Sequence, residues 1–105
     1  MNVYGLDIEV HYRRGTGRWN VLVGPDRIYV GWVLRIESDN NEWRGYLTAE
    51  HDDHDSPFGV GRHVASGRTR AGVTEDLVWR AGRKRGPSTI FDLFEIAQVK
   101  EEVTR

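Results

Sequence analysis

Metal-binding residue types are concentrated in one short segment of the chain. His51-Asp52-Asp53-His54-Asp55 places two imidazoles and three carboxylates within five positions. Side chains of these kinds ligate zinc, nickel or manganese when a fold holds them together. A metal-dependent hydrolase at 51–55 would use His51, Asp53, His54 and Asp55 as its metal residues. A solvated acidic loop over 50–61 is the competing interpretation, because a metal site also needs supporting groups from other elements.

Charge is segregated along the chain, although the net charge is only -1. Residues 37–55 carry seven acidic side chains and one arginine, whereas residues 62–86 carry seven basic side chains and two acidic ones. Arginine and lysine bind phosphates, and arginine also reads guanine in the major groove. The 62–86 basic stripe is therefore a candidate site for nucleic acid or another partner, unless it pairs with the acidic loop. Its residues are Arg62, Arg68, Arg70, Arg80, Arg83, Lys84 and Arg85.

A short apolar motif lies near the C-terminal end. Ile90-Phe91-Asp92-Leu93-Phe94 resembles, in its Asp-Leu-Phe end, the peptide with which bacterial proteins dock on the replication sliding clamp. That peptide family begins with glutamine, where this chain has Ile90. The resemblance implies that Phe91, Asp92, Leu93 and Phe94 form a docking peptide that fills an apolar pocket. The same spacing fits a buried helix stripe, so both interpretations stay open.

Catalytic motifs are otherwise missing from the sequence. The chain has no Gly-x-Ser-x-Gly, Walker-type or Gly-x-Gly-x-x-Gly sequence, and without cysteine it has no thiolate catalysis and no disulfides. Four tryptophans are many for 105 residues, and we expect them to fill the core. If Tyr29 or Trp43 is exposed on a sheet instead, that sheet becomes a stacking platform for bases. No cofactor is indicated, and we expect a non-enzymatic protein.

Alternating hydrophobicity predicts strands over 4–12, 19–23, 28–36 and 43–48, and the short connections favour antiparallel pairing. A loop over 50–61 and a short extended piece at 62–65 follow. Thr74 is expected to cap a helix that ends at Gly82 or Gly86. The segment 88–103 mixes helix and strand features, and we expect a helix there. A single domain, 1–105, then has an α+β fold, in which one helix packs on a largely antiparallel sheet of about four strands and a C-terminal helix follows.

The predicted core takes alternate residues of the strands and the apolar stripe of the helix. No apolar run approaches the roughly 18 residues of a membrane span, and no signal peptide is visible. We therefore expect no membrane partner and a cytoplasmic location. The predicted core residues are Leu6, Ile8, Val10, Val21, Val30, Trp32, Leu34, Leu77 and Val78.

A resemblance to a protein family rests on the order of these elements. Short strands and then a helix, with Trp32, Trp43 and the lead-in Ser66-Gly67-Arg68-Thr69-Arg70, resemble small accessory proteins encoded by actinobacterial phages. The preference for arginine, with Lys84 and Lys100 as the only lysines, is typical of such GC-rich genomes. The arrangement also resembles DNA-binding modules built from a three-stranded sheet and a helix. The resemblance implies a non-enzymatic binding role inside the cell.

The sequence thus predicts a small non-enzymatic binding protein of phage type that docks on a host or phage macromolecule, with a protein as the first expectation. A nucleic-acid-binding accessory protein that uses the 62–86 stripe is the alternative. The sequence pI of about 6.4 weighs against it, because basic DNA-binding domains usually have a pI above about 9. A hydrolase at 51–55 is third. An exposed strand edge would also permit a homodimer.

Overall fold

The fold is an antiparallel sheet with one helix on one of its faces. The computed structural model describes residues 2–3, 5–38, 40–51 and 61–83. Every strand pairs with its neighbour in sequence, so the sheet is a meander. The elements are β1 (Asn2–Val3), β2 (Leu6–Arg13), β3 (Arg18–Val23), β4 (Ile28–Ile36), β5 (Glu42–Leu47), a 3₁₀ turn (Ala49–His51), β6 (Arg62–Gly67) and α1 (Arg70–Ala81).

The sheet is larger than the sequence predicted. Besides the four expected strands it contains β6 and the two-residue β1. The extended piece expected at 62–65 is a strand that continues to Gly67, because its backbone pairs with β5 on both sides of an irregularity at Val64. The α+β class and the antiparallel pairing are confirmed, whereas the C-terminal helix predicted at 88–103 lies outside the described residues. Within the described ranges, no helix has the length and apolar character needed to cross a membrane.

Tight turns between the strands follow the local sequence. The β2–β3 turn contains Gly15 and Gly17, whose φ angles of +81° and +70° are costly for other residues. Asn40 and Asn41 adopt φ angles of 55° and 58° in the β4–β5 turn, a conformation that asparagine tolerates. These turns form the short connections expected from the sequence and allow the antiparallel pairing.

The helix begins one turn earlier than predicted. Thr69 is its N-cap, and the Thr69 hydroxyl accepts a hydrogen bond from the Gly72 amide at 3.1 Å. Thr74, the predicted cap, is buried inside the helix, where its hydroxyl donates to the Arg70 carbonyl oxygen at 2.8 Å. The prediction was wrong because Gly72 weakens the helix signal of the first turn, while capping by Thr69 stabilises that turn. Gly82 follows the last helical residue, in agreement with one of the two predicted stops.

The core lies on the face of the sheet that carries α1. α1 packs across β4, β5 and β6. Gly45 allows the close approach, since a β-carbon there would lie 3.1 Å from Cγ1 of Val73. Of the predicted core, Val10 is only partly buried against the cluster. The buried apolar residues are Leu6, Ile8, Val21, Val23, Val30, Val33, Leu47, Ala65, Val73, Leu77, Val78 and Ala81.

A bulge in β4 moves two predicted core residues to the other face of the sheet. The partners of β3 step from Gly31 directly to Tyr29, which leaves Val30 as an extra residue in β4. One extra residue reverses the face that each following side chain occupies. Val33 therefore enters the core. The predicted core residues that lie partly exposed on the opposite face are Trp32 and Leu34.

Candidate functional site

The face of the sheet opposite α1 carries a cluster of aromatic and basic side chains. We call this surface the open face. Its side chains alternate along the strands with the buried side chains of the other face. No described helix or strand packs on this face. Its residues include His11, Arg13, Arg18, Asn20, Tyr29, Trp32, Leu34, Arg44, Tyr46, His63 and Ser66.

Three rings on the open face form a ladder across β4, β5 and β6. The register places Trp32 beside Tyr46, and Tyr46 beside His63. The Trp32 and Tyr46 ring centroids are 5.3 Å apart with an interplanar angle of 7°, and the Tyr46 and His63 centroids are also 5.3 Å apart, with a tilt of 35°. Neighbouring strands are about 4.8 Å apart, so rings with this spacing stand upright and cover each other. The ladder therefore presents ring edges outward.

Arg18 closes the β3 end of the ladder. Its Cζ atom lies 4.4 Å from the centroid of the Trp32 ring, and the same ring stacks with Tyr46. No acidic side chain in the described part of the chain forms an ion pair with Arg18. A guanidinium in cation–π contact with a ring can still donate N–H groups to a carboxylate or phosphate. Arg18 is thus a pre-positioned donor for an anionic partner group.

His63 fixes the β6 end of the ladder. Its Nε2 atom lies 2.7 Å from the Ser66 hydroxyl and 3.0 Å from the Ala65 carbonyl oxygen. At the Trp32 ring, Gly61 lies so close that a β-carbon at residue 61 would overlap the indole. These contacts hold the rings in one arrangement. A surface ordered before binding loses less conformational entropy when a partner arrives.

Tyr29 lies on the same face and is 38% exposed. Burial raises the pKa of the Tyr29 phenol above its ordinary 10.0, and the positive charges of Arg18 and Arg13 partly offset that rise. The phenol is therefore protonated at neutral pH and can donate a hydrogen bond. The exposed aromatic residue that would favour a stacking platform is thus Tyr29, since Trp43 is partly buried against the core.

Several acidic side chains near the sheet are already neutralised by arginines close to them. These ion pairs involve largely exposed side chains, so they contribute little to stability. They nevertheless remove negative charge from the sheet and leave Arg13 and Arg18 without acidic partners among the described residues. The pairs are Glu9 with Arg27 at 2.8 Å, Glu42 with Arg44 at 3.1 Å and Glu37 with Arg35 at 3.3 Å.

The structure divides the predicted basic stripe into separate groups. Arg68 and Arg70 lie at the start of α1, and Arg80 and Arg83 lie at its end. Ten helical residues span about 15 Å, so these groups do not form one patch. Arg62 lies apart from both groups, in β6. The remaining members, Lys84 and Arg85, lie outside the described residues.

The other predicted sites fall largely beyond the described ranges. Of the metal candidates, His51 is buried in the 3₁₀ turn, while Asp53, His54 and Asp55 are not described. Among the residues that are described, no group of three or more potential ligands could hold a metal. The docking-peptide candidates Phe91, Asp92, Leu93 and Phe94 also lie outside, so the sequence interpretation of that segment stays a prediction.

Sequence reasoning missed Arg18, Tyr46 and His63 as members of one surface. The alternation in β5 did contain a signal, because Tyr46 must face away from its neighbour Leu47 if Leu47 is buried. The bulge in β4 concealed that Trp32 shares this face. No family model, curated protein or solved structure matches the chain.

Proposed function

We propose that this chain is a small non-enzymatic binding protein that docks on another protein through the open face of its sheet. The observation that carries the proposal is the fixed ladder of Trp32, Tyr46 and His63 with Arg18 stacked on its end. Tryptophan, tyrosine and arginine contribute most of the binding energy at many protein interfaces, whereas lysine is depleted there. The open face has this composition.

The partner surface should be acidic beside an apolar patch. Arg13 and Arg18 supply positive charge without acidic partners among the described residues, and Arg18 offers a planar edge suited to a carboxylate. The ring edges and Leu34 supply the apolar contact next to it. Charge of this kind increases the rate and specificity of association more than it adds affinity. We place the docking step in the host cytoplasm, on a host or phage macromolecule, in keeping with the resemblance to phage accessory proteins.

A protein fits the ladder better than a nucleic acid does. Bases bind single-strand platforms by stacking on exposed ring faces. The faces of Trp32 and Tyr46 are instead in contact with Arg18, with His63 and with each other. A base could stack there only by displacing one of these groups, whereas a protein side chain can pack on ring edges directly.

The experiment compares two charge reversals, each at an arginine whose Cζ lies over a tryptophan ring. Arg18→Glu changes the arginine on Trp32, and Arg83→Glu changes the arginine whose Cζ lies 5.2 Å from the Trp79 ring, at the end of α1. Partners captured from an actinobacterial lysate are identified, and the affinity of each purified protein is measured by calorimetry. We expect Arg18→Glu to weaken binding at least about tenfold, which is the range of an interface hot spot.

The control decides what a loss of binding means. Arg83→Glu should bind the same partner as the unmodified protein does. Equal losses in both variants would show a general charge effect, and unchanged binding by Arg18→Glu would place the interface elsewhere. Either result overturns docking through the open face. Circular dichroism of both variants confirms that the fold is retained.

Nucleic-acid binding is the second candidate function, and exposed Tyr29 on the face that also carries Arg13 and Arg18 favours it. The test is fluorescence anisotropy with a single-stranded oligothymidylate and with a DNA duplex at about 50 mM salt, where phosphate contacts are strong. Binding that weakens linearly in log–log form with salt, and that Tyr29→Ala reduces, would support this function. No binding of either probe would remove it.

A further inference from the structure

A second recognition site lies on the helix side of the sheet, where α1 begins. There the structure contains a cleft of about 430 Å³. Pockets that bind small molecules typically enclose about 300–1,000 Å³, so the cleft can hold one fused ring system with its substituents. The cleft is lined by Tyr12, Gly17, Trp19, Arg35, Glu37, Trp43 and Arg70.

The register of the sheet brings the aromatic residues to this cleft. Tyr12 pairs with Trp19 across β2 and β3, and their ring centroids are 5.0 Å apart with an interplanar angle of 53°. Arg35 pairs with Trp43 across β4 and β5. Tyr12 is 52% exposed, whereas Trp19 and Trp43 are partly buried and packed against the core. The cleft thus offers firm aromatic surfaces from two strand pairs, on which a flat ring can stack.

Arg70 supplies a positive charge at the cleft. Its Cζ atom lies 4.1 Å from the centroid of the Trp19 ring, a cation–π contact that restricts where the guanidinium can lie. No acidic partner of Arg70 occurs in the described ranges. Its N–H edge is therefore available for the two oxygens of a carboxylate or phosphate.

Arg35 adds a second cation whose present partner is weakly held. Its Nη2 atom lies 3.3 Å from Oε1 of Glu37. The two side chains are 50% and 79% exposed, and exposed pairs of this kind contribute little free energy. A ligand anion can therefore compete with Glu37 for Arg35, while Glu37 disfavours ligands with a large negative charge.

We propose that this cleft binds a small planar aromatic anion. The ring lies against Trp43 and Tyr12, and the carboxylate or phosphate pairs with Arg70, whose guanidinium is placed over Trp19 at the start of α1. This site is on the opposite side of the sheet from the ladder, so it does not depend on the proposed docking function. It assigns a ligand class to residues outside the open face.

Three matched probes test the proposal on the unmodified protein. 2-Naphthoate carries a carboxylate, 2-naphthyl phosphate carries a phosphate, and 2-naphthol is the neutral control with the same rings and the same position of substitution. Each is titrated while the indole Nε1–H signals of Trp19 and Trp43 are followed by nuclear magnetic resonance. We expect at least one anion to bind roughly tenfold more tightly than 2-naphthol, the usual gain from a charged hydrogen bond. Which anion binds tighter distinguishes a carboxylate ligand from a phosphate ligand.

Two variants with the same charge change locate the anion. Arg70→Gln should remove the preference for the anion, whereas Arg83→Gln, which alters the arginine beside Trp79, should keep it. The proposal is overturned if 2-naphthol binds as tightly as both anions, if Arg83→Gln has the same effect as Arg70→Gln, or if the two indole signals do not shift. Because the probe comparison uses the unmodified chain, folding defects cannot explain its result.

Discussion

Replacing Leu77 by alanine should lower the free energy of unfolding by about 2–5 kcal/mol, whereas Leu34→Ala should lower it by about 1 kcal/mol. The two residues are chemically identical and were both predicted to be core residues. The structure places Leu77 at 0% exposure under α1 and Leu34 partly exposed on the open face. The pair therefore tests the register of β4 directly.

The difference in magnitude follows from what surrounds each side chain. Leu77 packs above Gly45, where a β-carbon on residue 45 would lie 3.6 Å from the Leu77 Cβ. Glycine has no side chain that could move into the space left by the substitution, so a cavity adds to the lost transfer free energy. Leu34 is already partly in solvent, and its truncation removes only part of the transfer free energy and creates no enclosed cavity.

Urea unfolding followed by tryptophan fluorescence provides the measurement. Both variants should keep the denaturant slope of the parent protein, so that the shift in midpoint reports stability alone. A loss for Leu34→Ala as large as that for Leu77→Ala would refute the bulge at Val30 and the assignment of the open face. Leu47→Ala, at a fully buried position of β5, serves as the positive control.

The remaining predictions concern a cap, a close approach and a phenol. Thr69→Ala should cost about 1 kcal/mol in thermal unfolding, whereas Thr69→Asp should retain the cap; equal losses would contradict the capping role. Gly31→Ala should cost more than about 3 kcal/mol, because a β-carbon there would overlap the Tyr46 carbonyl oxygen, and unchanged urea stability would contradict that packing. In an absorbance titration, Tyr29 should ionise above pH 10.0, and Arg18→Ala should raise its pKa further, because that charge favours the phenolate; a fall would contradict the placement. Since the unfolded chain releases this proton at lower pH, stability should decline as pH rises from about 10 through the folded-state pKa.

The strands and turns could be predicted because their signals are local. Alternation predicted β2 and β3, and the short connections between the strands predicted antiparallel pairing. The buried positions Leu6, Ile8 and Val21 followed from the same alternation. These features depend on residues next to each other in the chain, so they do not require knowledge of the tertiary structure.

The faces of β4 and the start of α1 could not be predicted in the same way. Val30 is an extra residue only relative to its partners on β3, and no sequence window contains that information. The choice between Thr69 and Thr74 as a cap depends on where β6 ends, and the two threonines look alike locally. The candidate sites depend on cross-strand neighbours, and for that reason Arg18 on Trp32 and Arg70 on Trp19 emerge only from the structure.

The sequential order of the strands also bears on how the chain reaches its native state. Each strand pairs with the strand before it in sequence, and from β2 to β5 the sheet can grow hairpin by hairpin with short loops to close. Topologies dominated by such local pairings fold faster than those with distant ones. α1, by contrast, contacts three strands at once and needs β4, β5 and β6 in place before it gains its packing energy. During synthesis the early hairpins can form while later strands are still absent, and docking of α1 completes the core.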